Sequence, residues 1–331
     1  MRALTNRSSE IRWLGHALIL LLLLGGPVAA ASDELNTLHF LIPAGPGGGW
    51  DGTARGVGEA LTKAGVVDHT SFENLSGGGG GRAIAKLIET APRQQKTLLV
   101  GSTPFVVRSL QKVFPQSFRD LQPIASVIAD YAVFAVRAES KWQTWAHVLQ
   151  AYDVNPRSVK IAGGSVRGST DHLVIASALQ ASRRDPRRAL YIPYDGGGRA
   201  MAGLLTGETD LLSTGFGEAI DMTRSGTVRI LAVAAPERLP GAAGIPTLNE
   251  QGVTFEFANW RGFFAAPGLP EARYGAMQRA LAQMIATPEF EVVRKRMGWT
   301  ILHTEGDVFF TFLERQEAEI GAMMAELGFR R

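Results

Sequence analysis

At 331 residues, 45% of them hydrophobic, the chain has material for a sizeable core and for two domains rather than one. A net charge of +3 without any lysine-rich run argues against a nucleic-acid partner. The absence of cysteine excludes a disulfide framework, a thiolate metal site and a lipid-modified cysteine, and the six histidines are scattered with no metal-ligand spacing.

The chain opens with Arg2, Arg7 and Arg12, then a leucine-rich run over residues 14–24, then small residues that put Ala29 and Ala31 at an A-x-A cleavage position. The apolar run is shorter than the ~20 residues a membrane span needs, so residues 1–31 read as a cleavable signal peptide. The mature chain is expected to start near Ser32 and to lie in the periplasm.

Residues 38–42 alternate as a strand and run into Gly47-Gly-Gly-Trp-Asp51, after which Ala54, Val57, Gly58 and Leu61 recur at helical spacing. Asp51 or Thr53 is placed to cap that helix. Side-chain-free residues at a helix start let backbone N–H groups and the helix dipole face a ligand oxygen, so this is an anion cradle. Formally, Gly47-x-Gly49-x-x-Gly52 with Glu73 about 20 residues on also satisfies the dinucleotide fingerprint, and an exported NAD-binding oxidoreductase is the alternative reading.

The unit repeats. Residues 70–74, ending at Asn74, lead through five glycines, Gly79 and Gly80 among them, into a helix from Arg82; residues 98–102 end in Gly101-Ser102 ahead of a helix begun by Pro104. An apolar strand is expected over 131–136 and a helix over 142–152 with Trp142, Trp145 and Leu149 inward. A second set follows: strand 159–162 into Gly163-Gly-Ser165, a helix opened by Ser169-Thr-Asp-His172, and a strand into Tyr194-Asp-Gly-Gly-Gly198 with its own helix. Strands over 210–213 and 228–234 complete this half, an extended run over 255–265 crosses back, and everything after Pro270 reads as helix. Successive βα units imply parallel sheets whose loops gather at the strand carboxyl ends. The expected fold is therefore α/β, two doubly wound lobes joined by two crossing strands around a ligand cleft. One lobe comprises residues 32–137 with 260–331, the other 138–259.

Asp171 and His172 beside Ser165 and Ser169 suggest a catalytic triad, but neighbours on one helix point about 100° apart, and no G-x-S-x-G motif is present. Asp171 is expected to brace the glycine loop and His172 to satisfy a local backbone group. Arg55, Arg82, Arg167, Arg199 and Arg261 fall in or just after loops. Arg261 is the one expected to touch ligand, its loss weakening binding while sparing the fold.

Taken in order, Gly47-Gly-Gly-Trp-Asp51 with Thr53 and Arg55, Asn74 with the glycine run, Gly101-Ser102, Gly163-Gly-Ser165, Asp171-His172, Tyr194-Asp-Gly-Gly-Gly198, Pro246-Thr-Leu-Asn-Glu-Gln-Gly252 and Asn259-Trp-Arg-Gly262 resemble the receptors of the tripartite tricarboxylate transporter family, Bug-type periplasmic solute-binding proteins. The resemblance implies a type II-like periplasmic binding protein, a monomer without catalysis, cofactor or metal. It would hold a small carboxylate, citrate foremost, and pass it to integral membrane permease subunits. It also implies a ligand set of Gly47, Gly48, Gly49, Trp50, Asp51, Thr53, Asn74, Gly79, Gly80, Ser102, Gly164, Ser165, Ser169, Asp171, Asp195, Gly196, Gly197, Asn259 and Arg261.

Overall fold

A computed structural model describes residues 35–329, so the expected signal segment lies outside the described residues. The first half begins β1 (Thr37–Ile42), α1 (Gly49–Lys63), β2 (His69–Asn74), α2 (Gly81–Glu89), β3 (Thr97–Ser102), α3 (Thr103–Leu110) and the long β4 (Gln122–Arg137). The second set is α4 (Trp145–Val154), β5 (Lys160–Gly163), α5 (Thr170–Ala181), β6 (Leu190–Pro193), α6 (Gly197–Leu205), β7 (Leu211–Gly215), α7 (Phe216–Arg224) and β8 (Val228–Val233). The chain returns through β9 (Ala258–Ala265), α8 (Glu271–Ile285), α9 (Pro288–Met297), β10 (Thr300–Glu305) and α10 (Gly306–Glu326).

β1 lies parallel to both β2 and β3, and β9 inserts antiparallel between β3 and the first half of β4. β5 lies parallel to β6 and β7, and the second half of β4 runs antiparallel to β7 and β8. β4 therefore serves two strand sets. It pairs with β9 and β10 as far as Tyr131 and with β7 and β8 from Ala132 onward.

Period-2 alternation sorts the core. In β9, Phe263 packs with Phe40, Ile42 and Leu61 under α1, whereas Trp260 and Phe264 pack with Phe309 and Leu313 of α10 on the opposite face. In the second half of β4, Phe134 meets Trp145 and Tyr191 while Val133 and Ala135 meet Leu204 and Phe216. Leu173 and Ala176 of α5 share the cluster that contains α10 and Phe105 of α3, so this helix bridges the two halves.

Four expectations change. β10 is a strand where only helix was expected: Thr300–Glu305 is polar enough to hide its alternation, and its pairing with β4 decides the matter. β4 begins nine residues before the expected 131, because residues 123–130 are buried on both faces and so carry no alternation to read. Helix α4 starts at Trp145, where Thr144 accepts the His147 N–H, and Trp142 is buried ahead of it. Helix α7 had no expectation. The N-cap of α1 is Gly48, with no side-chain cap, so neither Asp51 nor Thr53 takes that role.

Candidate functional site

The carboxyl ends of β1, β2, β3, β5, β6 and β7 each give way to a helix N-terminus, and the glycine loops gather there. Asp51 turns back to accept the Gly47 N–H at 3.0 Å, and its other oxygen accepts Arg55 and Asn74, each at 2.9 Å. Burial acts to raise the Asp51 carboxyl, but the Gly47 amide, Asn74 and Arg55 together hold it below the usual carboxylate range. Thr53 donates to the Gly49 carbonyl at 2.7 Å, and Trp50 Nε1 donates to Ser102 Oγ at 2.7 Å. The first loop is thereby clamped to the ends of β2 and β3.

In the second loop, Gly77, Gly78, Gly79 and Gly80 all take positive φ, between 57° and 130°, a run open only to glycine. In the second half, Gly164 lies so close to the Gly196-Gly197 backbone that a Cβ there would overlap the Gly197 amide. The Gly196 N–H donates to the Gly164 carbonyl at 3.0 Å, and the Tyr191 hydroxyl donates to the Ser165 carbonyl at 2.6 Å. Asp171 accepts the Gly164 N–H and is hydrogen-bonded to Ser165; burial and then the nearby Glu218 carboxylate push its carboxyl up to about 7. His172 accepts the Gly168 N–H at 2.8 Å, its ring lying between Tyr191 and Phe329 with centroids 4.4 and 4.6 Å away. Burial, then Arg167, pushes that imidazole down to about 4, so it is a neutral acceptor at neutral pH. Asp171 braces the loop and His172 accepts a backbone N–H, and among the described residues the His172 ring bonds neither a serine nor Asp171.

Where the strand sets join, Arg261 of β9 donates to Asp130 of β4 at 2.7 Å, to Thr53 at 2.9 Å and to the Gly49 carbonyl. Asp130 also accepts the Gly217 N–H of α7 at 3.0 Å. Burial pushes the Asp130 carboxyl up, against the pull of Arg261 and the Gly217 amide. With only 5% and 1% of their side chains exposed, these two form an internal strut from α1 through both crossing strands to α7. Arg261 is thus occupied within the protein, and these contacts argue that its removal would cost stability rather than spare the fold.

The remaining expected residues divide by availability. The amides of Gly80, Gly164 and Gly196 are spent within the loops, on the Gly77 carbonyl, Asp171 and the Gly164 carbonyl. Those of Gly48, Gly49, Gly79 and Gly197 have no partner among the described residues. Ser169 is the N-cap residue of α5, yet its buried Oγ makes no hydrogen bond, nor does the buried Oδ1 of Asn259. Asp195 is exposed, as are Arg82, Arg167 and Arg199. Glu73, which a dinucleotide ribose would need, is held by Lys86 at 2.6 and 2.7 Å. Among the described residues no group of three or more His, Asp or Glu could hold a metal ion.

Sequence reasoning missed Arg108. It lies on α3, half-buried, with its guanidinium carbon 3.4 Å from where a Cβ on Gly79 would stand. One turn further, Gln111 donates to the Gly168 carbonyl at 2.6 Å. A single arginine inside the apolar run Phe105-Val-Val-Arg-Ser-Leu110 was the available signal.

Two α/β strand sets joined by two crossing strands, with glycine-lined helix N-termini at the strand carboxyl ends, define a two-lobed α/β binding protein. The chain belongs to the tripartite tricarboxylate transporter receptor family, TctC, whose model matches residues 53–329. It is 29% identical over 265 residues to the UPF0065 protein in the tcbD-tcbE intergenic region of Pseudomonas sp. strain P51, covering 79% of this chain and 77% of that one. Among solved structures it resembles the periplasmic binding protein BugD, with a TM-score of 0.78, 22% identity and coverage of 88% and 97%. It also resembles R. palustris Rpa4515 with adipate, with a TM-score of 0.80, 20% identity and coverage of 88% and 97%. The family is described as one of receptors, and BugD is a periplasmic binding protein by name.

Proposed function

We propose that the chain is a periplasmic receptor that captures a small carboxylate by closure of its lobes and hands it to the integral membrane subunits of a tripartite tricarboxylate transporter. The observation that carries this reading is the set of free amides at Gly48, Gly49, Gly79 and Gly197, with the idle Ser169 hydroxyl, all at helix starts on the strand carboxyl ends of a TctC family member. Such donors neutralise a carboxylate without a buried counter-charge, and charge-assisted bonds of this kind contribute roughly 1.5–3 kcal/mol each. Adipate in a structural neighbour supports an acid of this size class, and the family description supports a tricarboxylate such as citrate. The lobes exchange where β4 changes partners, at residues 130–132, and where β9 begins.

A thermal-shift panel of citrate, malate, adipate and NAD tests the reading. A ligand at 100-fold its Kd adds roughly 2.7 kcal/mol to stability. Stabilisation by at least one carboxylate is expected; stabilisation by NAD alone would restore the oxidoreductase.

A further inference from the structure

Arg108 has no counter-charge among the described residues. Its side chain makes no hydrogen bond and no ion pair among the described residues, although it is half-buried. Other arginines withdrawn from solvent are served: Arg137 by two backbone carbonyls and Glu139, Arg184 by Asp153, Arg229 by two carbonyls and Arg294 by Glu291.

Its place in the fold is specific. On one side the guanidinium lies against Gly79, whose missing side chain makes room for it: a Cβ there would come within 3.3 Å of the nearer guanidinium nitrogen. Gln111, three residues on and the C-cap of α3, bonds the Gly168 carbonyl, so that end of the helix fronts the loop that begins α5. Burial pushes the guanidinium down from its ordinary value, the sign of a cation short of solvent, and Tyr191 only partly offsets this. The group thus lies beside Gly79, whose amide is one of the free donors, on the helix whose end holds the Gly168 loop of the second half.

We propose that Arg108 is a specificity residue of the carboxylate site, pairing in bidentate fashion with a second anionic group of the ligand that the backbone amides do not reach. This rests on the receptor reading and adds to it the residue that favours acids with at least two anionic groups over monocarboxylates of equal length. A planar guanidinium matches a carboxylate with two parallel N–H···O bonds, which an ammonium cannot copy.

The test is calorimetric titration of wild type, Arg108→Ala and Arg108→Lys with adipate, citrate and hexanoate, alongside ligand-free melting curves. Wild-type binding of adipate or citrate is expected. Arg108→Ala should weaken it by roughly 10- to 100-fold, with partial recovery in Arg108→Lys, the same hexanoate affinity and an unchanged or higher ligand-free Tm. Two outcomes overturn the proposal: diacid affinity within about threefold of wild type in Arg108→Ala, or equal losses for all three acids with a lowered ligand-free Tm, which would make Arg108 a prop for the Gly79 loop. Wild type that binds none of the three acids would instead bring down the receptor reading on which the proposal stands.

Discussion

Replacing Arg261 with alanine strips the buried Asp130 carboxylate of its cationic partner, leaving it the Gly217 N–H at 3.0 Å. The Gly49 carbonyl and Thr53 lose a donor in the same step. Breaking a buried pair from one side costs about 3–5 kcal/mol, because an uncompensated charge stays behind. An unfolding entropy of about 2.1 cal/mol/K per residue over roughly 300 residues is about 0.6 kcal/mol/K, so the melting temperature should fall by about 5–8 °C. Asp130 is already pushed up by burial, and without Arg261 it rises further. A carboxyl raised in the folded state destabilises as pH climbs through its folded value, so the deficit should shrink on going from pH 7.5 to pH 4.5. Adding Asp130→Asn to the variant removes the stranded charge and should restore part of the loss. Differential scanning calorimetry of the two single variants and the double variant decides it. A deficit under about 1 kcal/mol, or a double variant no more stable than Arg261→Ala, would refute the strut.

Asp171 and His172 carry opposite pH slopes. With Asp171 raised to about 7, stability falls as pH rises from about 4 to about 7; with His172 lowered to about 4, stability falls as pH drops from about 6.5 to about 4. The two oppose each other in wild type, so Asp171→Asn should unmask acid sensitivity and His172→Asn the reverse, read as urea midpoints across pH 4–7.5. Gly164→Ala drives a methyl into the Gly197 amide and should cost about 1–3 kcal/mol, with ligand binding lost as the loops part; an unchanged urea midpoint would show that they can yield. Ser169→Ala removes a buried hydroxyl that has no partner, so stability should stay within about 0.5 kcal/mol of wild type while carboxylate affinity falls about tenfold by calorimetry.

What could be read from the chain was local: strand periodicity, glycine at helix starts and the ordered repetition of that unit. Those features located α1, α2, α5 and α6 within a few residues, because period and turn chemistry agree there. β4 and β10 were less legible, one hidden by burial on both faces and the other polar until a neighbour pairs with it. The glycine loops were visible as donors, but which amides are spent inside the loops depends on contacts between segments far apart, as with Gly164 and Gly196. Arg261 was singled out for its setting in Asn259-Trp-Arg-Gly262, yet the even spacing of Trp260 and Phe264 turns it onto the α1 face, where Asp130 and Thr53 take it up. Arg108 sat in an apolar run with no glycine beside it, and only folding brings Gly79 to its side.

The shared strand β4 has a consequence for how this molecule can be taken apart. Cutting the gene near Tyr131 would give each fragment half a strand and an open row of unpaired main-chain groups, an invitation to aggregate rather than to fold. The halves should therefore resist separate expression and resist being swapped between relatives as modules. They are bound to inherit changes together, so a loop altered in one half must always be tried out against the unaltered other.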